Sequence, residues 1–152
     1  MANSSSVVCS HEFVAPYQVD LTMVEKLSSI TDVNGNILFK VKSKRLSLRD
    51  RRVLADHAGN PVLSFHRKFL SVHDRWIAFR GDSSDSKNKI FSVKQSSFIQ
   101  FKTSLDVFMG YNGNEHVCDF KVIKGSWFGN SCTIYAGNGT TIIAKMSKKH
   151  IQ

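Results

Sequence analysis

The sequence predicts an all-β fold, in which short antiparallel strands form a meandering sheet that closes into a barrel or folds into a sandwich. From Ile30 onward, apolar and polar residues alternate with a period of two. Asn-Gly or Gly-Asn dipeptides, which tight turns favour, recur between these alternating runs. Aromatic residues make up 11% of the chain, and their side chains pack well on a pleated surface. At 152 residues, the chain fits one domain.

The N-terminal part of the chain differs from this pattern. Residues 1–14 are expected to form a mobile arm, because they begin with a serine-rich stretch, and residues 15–152 are expected to form the folded domain. Residues 20–29 are predicted to form one short helix, with Asp20 as its N-cap. The apolar face of this helix would consist of Leu21, Val24 and Leu27.

Two hairpins are predicted directly by their turn residues. The first spans residues 30–42 with Asn34-Gly35 at its turn, and the second spans residues 51–67 with Ala58-Gly59-Asn60 at its turn. Glycine supplies the positive φ angles that such turns need. The remaining predicted strands are, in chain order, residues 73–80, 89–95, 99–109, 117–124, 125–128, 132–136 and 142–147.

The chain is strongly basic, with a formal net charge of +9 and a pI near 9.7. This charge predicts attraction to polyanions such as phosphate head groups or nucleic acid, although a basic surface can also serve solubility alone. On a strand, Lys40 and Lys42 share the face opposite Phe39 and Val41, so that their ammonium groups project to solvent together. The alternative interpretation is a solvated outer face with lysines that prevent edge-to-edge aggregation. The candidate phosphate-binding residues are Lys40, Lys42, Lys44, Arg45, Arg49, Arg51 and Arg52.

The cysteines and the termini indicate a reducing compartment. Cys9, Cys118 and Cys132 are odd in number and have no C-x-x-C spacing, so neither a disulfide framework nor a zinc site is predicted. The first ten residues lack the features of a signal peptide, and no apolar run approaches the ~20 residues of a membrane span. We therefore expect a cytosolic or nuclear protein.

No catalytic constellation stands out, and no cofactor or metal is predicted. The pair His73-Asp74 is found in metal-dependent phosphohydrolases, but further ligands at helical spacing are missing here. Cys118 lies in an alternating pattern without a histidine partner, so packing in the core is its expected role. A β-barrel enzyme that uses Cys118 or His73 is kept as the alternative to a non-enzymatic binding module. That alternative requires the side chain to line an open pocket beside a polar partner.

Five segments form a recognisable combination: Ala15-Pro16-Tyr17, ITDVNGNILFKV at 30–41, VHDRW at 72–76, KGSW at 124–127 with Cys132, and IAKM at 143–146. Together they resemble the LURP-one-related proteins of plants, from about Ala15 to His150. The resemblance implies a β-barrel wrapped round a central hydrophobic helix at the C-terminus, similar to the tubby C-terminal domain and to phospholipid scramblases. It also implies a membrane-tethered regulatory protein, a link to plant defence, and no established enzymatic activity.

The sequence departs from the family pattern at two places. Ser29 directly precedes Ile30, where relatives carry another strand, and the chain stops at Gln152, where relatives continue through further strands and the buried helix. We therefore expect an incomplete, open or hollow barrel with an exposed apolar groove, in a chain that is aggregation-prone or molten. The residues expected to face its interior are Ile37, Phe39, Val41, Phe91, Val93, Ile99 and Phe101.

Three functional hypotheses follow. The first is a module tethered to anionic phospholipid head groups, phosphoinositides above all, at the inner face of the plasma membrane. The second is the β-barrel enzyme described above. The third is a basic nucleic-acid-binding module, which sequence features do not separate from lipid binding because phosphate is the common ligand.

Overall fold

The structure, a computed structural model, describes residues 8–24, 27–44, 50–68, 74–99, 102–125, 131–137 and 139–147. Within them, eleven strands form one antiparallel sheet whose strand order is the order of the chain, which confirms the all-β class. Single turns of 3-10 helix lie at His11–Phe13 and Ser86–Asn88. The strands are β1 (Thr22–Val24), β2 (Ser29–Thr31), β3 (Ile37–Lys44), β4 (Arg51–Asp56), β5 (Pro61–Lys68), β6 (Arg75–Arg80), β7 (Lys89–Ile99), β8 (Lys102–Met109), β9 (Phe120–Lys124), β10 (Cys132–Ala136) and β11 (Ile142–Met146).

The strand order has two ends, β1 and β11. Among the described residues no pairing joins these two strands, so the sheet is not closed by them. This agrees with the part of the prediction that the sheet does not close. No helix in the described parts of the chain is long and apolar enough to cross a bilayer.

The two predicted hairpins are confirmed, and their turns share one design. Each turn has the sequence Asp-x-x-Gly-Asn, at residues 32–36 between β2 and β3 and at residues 56–60 between β4 and β5. In the first turn, the backbone N–H of Asn36 donates to Asp32 Oδ1 at 2.9 Å. In the second, the backbone N–H of Asn60 donates to Asp56 Oδ1 at 2.8 Å. In each turn, the aspartate side chain therefore accepts a hydrogen bond from the backbone N–H of the asparagine that ends the turn.

The described contacts divide the chain into two compact units. Unit 1 comprises residues 1–67 and 78–90, and unit 2 comprises residues 68–77 and 91–152. The buried apolar residues of unit 1 are Val53, Ala55, Leu63, Ala78, Phe79 and Ile90. Those of unit 2 are Phe108, Met109 and Cys118.

Residues that were expected to face a barrel interior are not fully buried. Ile37 is exposed, and four others are half-buried. The half-buried residues are Phe39, Val41, Phe91 and Val93. The Ile99 side chain and Phe101 lie outside the described residues.

The helix predicted at residues 20–29 is wrong. Among its described residues, Thr22–Val24 form β1 and Ser29 begins β2, with Thr22 opposite Thr31 and Val24 opposite Ser29. A helix of ten residues is marginal in water unless one face is buried, whereas two paired strands satisfy the same backbone groups. Leu21 and Leu27, two members of the predicted apolar face, are exposed.

The break predicted between residues 95 and 99 is also wrong. β7 runs unbroken to Ile99, and its register to β8 shifts between Gln95 and Ser97. Such a shift marks a bulge, in which one extra residue is absorbed by the ladder. The Ser96 hydroxyl donates to the backbone oxygen of Ser104 at 3.2 Å, so a polar run that is typical of a turn is held inside the strand.

Residues 8–14, part of the predicted arm, contact other residues of unit 1. The Phe13 ring meets the Phe39 ring edge-on, with the ring centroids 5.4 Å apart. Arg80 Nη1 donates to the backbone oxygen of Cys9 at 2.8 Å. Residues 1–7 of the arm lie outside the described residues.

Candidate anion-binding surface

Two lysines of β3 form the centre of the candidate surface. Lys40 and Lys42 are exposed and lie at alternate positions, so that they share one face of the sheet about 7 Å apart along the strand. Phe39 and Val41 point to the opposite face and are half-buried. The face that the sequence predicted for the two lysines is therefore the one they occupy.

The neighbours of these lysines are small and uncharged. Lys40 lies between Ser29 of β2 and Ala55 of β4, and Lys42 lies opposite Val53 of β4. The three neighbours are buried. Neither lysine forms an ion pair with any residue that the structure describes. Their positive charges are thus available to an anion from solution.

The arginines of β4 do not join this pair as free cations. Arg51 shares the face of Val53, but its guanidinium forms an ion pair with Asp82. Arg52 lies opposite Ser43 and Phe65, and so points to the other face. No pattern in the sequence indicates Asp82 as the partner of Arg51, because Asp82 lies in the loop after β6.

The structure describes only one of the three remaining candidates, Lys44. Lys44 is the last residue of β3, while Arg45 and Arg49 lie outside the described residues. Of the predicted cluster, Lys40 and Lys42 are exposed on one face. Arg51 is paired with Asp82, and Arg52 lies on the opposite face. A continuous patch of all the predicted residues is not part of the described structure.

Cys118 does not have the properties of a nucleophile. Its side chain is 5% exposed, as packing in the core predicted. Burial, and after it the nearby Asp106 carboxylate, raises the pKa of the Cys118 thiol. A reactive cysteine needs the opposite shift, because the thiolate is the attacking species.

His73 lies outside the described residues. Its neighbour Asp74 lies directly before β6, where its backbone oxygen accepts a hydrogen bond from Gln95 N at 3.4 Å. Over the described ranges, no group of three or more His, Cys, Asp or Glu side chains is arranged to hold a metal ion.

A second polar cluster organises the loop between β8 and β9 in unit 2. Arg75 donates from Nη1 and Nη2 to the two carboxylate oxygens of Glu115, at 2.8 and 2.7 Å. Glu115 has a φ of 50°, an uncommon value for a residue with a side chain. Asp119 Oδ2 accepts from Met109 N at 2.8 Å and from Asn112 Nδ2 at 2.9 Å. The bonds of Asp119 lie within the loop and its flanking strands, whereas Arg75 ties Glu115 to β6, outside the loop. Together they shape the loop.

This loop explains a boundary that the sequence misplaced. The strand predicted from residue 117 begins only at Phe120. Asn112 Nδ2 also donates to the backbone oxygen of Val117, at 2.8 Å, and this bond holds the preceding residues in the loop. The strand predicted at residues 125–128 lies outside the described residues beyond Gly125, whose N–H donates to Ser131 O at 2.8 Å.

The described residues thus define an all-β protein, an antiparallel meander with two exposed lysines on one face of β3. The sequence pattern of the LURP-one-related family matches residues 19–152. The chain therefore belongs to the LURP-one-related family.

Similar proteins come from Arabidopsis thaliana. Protein LURP-one-related 15 is 47% identical over 154 residues, which cover 97% of this chain and 70% of that protein. Protein LURP-one-related 10 is 42% identical, with 94% of this chain and 77% of that protein covered. Protein LURP1 is 42% identical, with 94% and 72% covered. An X-ray structure of an Arabidopsis thaliana protein matches with a TM-score of 0.74 and 42% identity, covering 93% of this chain and 80% of that one.

Proposed function

We propose that this chain is a non-enzymatic regulatory or adaptor module that attaches to anionic phospholipid head groups, phosphoinositides above all, at the cytoplasmic face of the plasma membrane. The observation that supports the proposal most is the pair Lys40 and Lys42, exposed on one face among uncharged neighbours. A role in plant defence, which the family resemblance implied, belongs to the same proposal.

The magnitude of the attraction favours weak, reversible attachment. A lysine near an anionic bilayer contributes about 1 kcal/mol, so this pair contributes about 2 kcal/mol. That energy corresponds to roughly a thirtyfold gain in partitioning. The net charge of +9 adds longer-range attraction, which salt screens.

Vesicle co-sedimentation tests the proposal. Phosphatidylcholine vesicles with and without a phosphoinositide are compared at low and high salt, for the natural chain and for the double variant Lys40→Glu/Lys42→Glu. We expect binding that needs the phosphoinositide, decreases with salt, and is at least about tenfold weaker in the double variant, because repulsion replaces attraction at two positions.

The matched control is Lys87→Glu/Lys124→Glu, which changes the net charge equally at two exposed lysines elsewhere. It should bind nearly as the natural chain does. Absence of binding at low salt, or equal binding by both double variants, would refute the proposal. Competition between a soluble inositol phosphate and duplex DNA separates lipid from nucleic acid, and stronger displacement by DNA would favour nucleic acid as the partner.

A further inference from the structure

A second feature of unit 1 has the properties of an interaction surface. At alternate positions of residues 17–23, four large apolar side chains are exposed. We call these four residues the edge stripe. Lone exposed apolar residues are ordinary on protein surfaces, but a series along one segment indicates a binding surface. The edge stripe consists of Tyr17 (73% exposed), Val19 (48%), Leu21 (52%) and Met23 (62%).

The position of the edge stripe favours a lipid bilayer over a protein strand as its partner. It lies on β1 and the residues that precede it, at one end of the strand order, and Met23 is opposite Ile30 on β2. β1 has three residues, and short edge strands pair poorly with strands of other proteins. The stripe thus offers side chains rather than a long backbone edge, and tyrosine is enriched where a membrane meets water.

The spacing of the strands sets the distance between Lys40 and β1, and this distance matches the depth to which apolar groups enter a bilayer. In the register, Ser29 of β2 lies between Val24 of β1 and Lys40 of β3. Neighbouring strands are about 4.8 Å apart, so the backbone at Lys40 is about 10 Å from that of β1. Apolar groups of interfacial proteins enter a bilayer by about 5–10 Å. Met23 pairs with Ile30, and Ile30 with Phe39, so Met23 lies on the face of the sheet opposite to Lys40. An approach with β1 edge-on to the bilayer is the one that lets both faces reach it, and it brings Lys40 to the depth of the phosphates.

We propose that the edge stripe enters the interfacial layer of an anionic lipid bilayer while Lys40 and Lys42 contact its phosphates. This inference rests on the function proposed above and adds an apolar attachment to the electrostatic one. Stable anchoring of a peripheral protein generally takes two such signals. The polar residues between the apolar ones, Asp20 among them, and the outer backbone of β1 keep the insertion shallow, because hydrocarbon cannot satisfy them.

Salt-resistant binding is the first test. Phosphoinositide-containing vesicles are sedimented at high salt with the natural chain, with Leu21→Ser/Met23→Ser, and with the control Val117→Ser/Ile143→Ser. The control residues are exposed to a similar degree, at 59% and 52%. We expect the natural chain and the control to keep a salt-resistant fraction, and the edge-stripe variant to lose it by at least about tenfold.

Fluorescence is the second test. The background variant is Cys9→Ser/Cys132→Ser, and Cys118 is kept because it is buried. An environment-sensitive dye is attached to the cysteine of Met23→Cys. The control carries the dye at Ala58→Cys, in the exposed β4–β5 turn. Vesicles should shift the emission to the blue only for the dye at position 23.

The outcomes of the two proposals are distinguishable. If Leu21→Ser/Met23→Ser binds as the natural chain does at high salt and the dye at position 23 does not respond, insertion is refuted, while the contact of the lysines with phosphate stands. If Lys40→Glu/Lys42→Glu loses nothing at low salt, the function proposed above fails instead. Quenching of the dye at position 23 by an extended peptide without lipid would identify a protein strand as the occupant and overturn the inference.

Discussion

Two aspartates illustrate how a single residue can stabilise this fold. Hydrogen bonds from Asn36, first from its side chain and then from its backbone, lower the pKa of Asp32. The backbone N–H of Asn60, followed by its side chain, lowers the pKa of Asp56. Both carboxylates are favoured in the charged form because donors surround them, although neither is buried.

These shifts predict a dependence of stability on pH. Since the folded pKa lies below the unfolded value of about 3.9, the stabilisation is complete above that value and is lost as the pH falls through the folded pKa. We expect Asp32→Asn/Asp56→Asn to lose less stability on acidification than the natural chain. Urea unfolding midpoints between neutral pH and acid measure this difference, and Asn36→Ala should return the carboxyl titration of Asp32 towards its ordinary range. Parallel pH profiles would contradict the prediction.

At the scale of the element, the hairpin turns depend on backbone conformation. Gly35 and Gly59 have φ angles of 86° and 90°, and a Cβ at either position would meet no atom within 4 Å. An alanine there would fit the available space and still be strained, because L-residues disfavour positive φ. The requirement for glycine is therefore conformational rather than steric.

We predict that Gly35→Ala and Gly59→Ala each destabilise the fold by about 1–2 kcal/mol. Gly113→Ala is the matched control, because that site is equally open and its φ lies outside the positive range. It should be neutral or slightly stabilising, since alanine restricts the unfolded chain. The measurement is the free energy of unfolding of the three variants. An equal loss of stability at all three positions would contradict a conformational cause.

At the scale of the whole molecule, the two units are interleaved along the chain. Each consists of two segments, because residues 68–77 of unit 2 interrupt unit 1 and residues 78–90 of unit 1 interrupt unit 2. No single linker separates one unit from the other in sequence. We therefore expect one cooperative unfolding transition, as is usual for small domains. This expectation replaces the molten chain that the sequence alone predicted, and a chain that unfolds without a cooperative transition would favour the earlier prediction.

A matched pair of core truncations tests this cooperativity. Phe79→Ala in unit 1 and Phe108→Ala in unit 2 remove the same side chain from buried sites, and each should cost about 3–5 kcal/mol. Of the two tryptophans, Trp76 belongs to unit 2, and Trp127 lies outside the described residues. Tryptophan fluorescence should therefore report a lower urea midpoint for Phe79→Ala as well. An unchanged fluorescence midpoint beside a lowered circular-dichroism midpoint would indicate independent units.

The residues alone determined the features that depend on neighbours in sequence. The all-β class, the two Asp-x-x-Gly-Asn hairpins and the shared face of Lys40 and Lys42 follow from alternation and turn chemistry, which act within a few residues. The family resemblance also followed from short local segments, and the comparison with the family confirmed it.

Only the tertiary structure decided the features that depend on distant partners. Residues 20–29 carry a helical pattern, but pairing of Thr22 with Thr31 made the start of that segment a strand and left the edge stripe exposed. Arg51 belonged to the predicted basic cluster until the ion pair with Asp82 removed its charge from it. Strand pairing and ion pairs form between residues that are far apart in sequence, and their free energies outweigh weak local preferences.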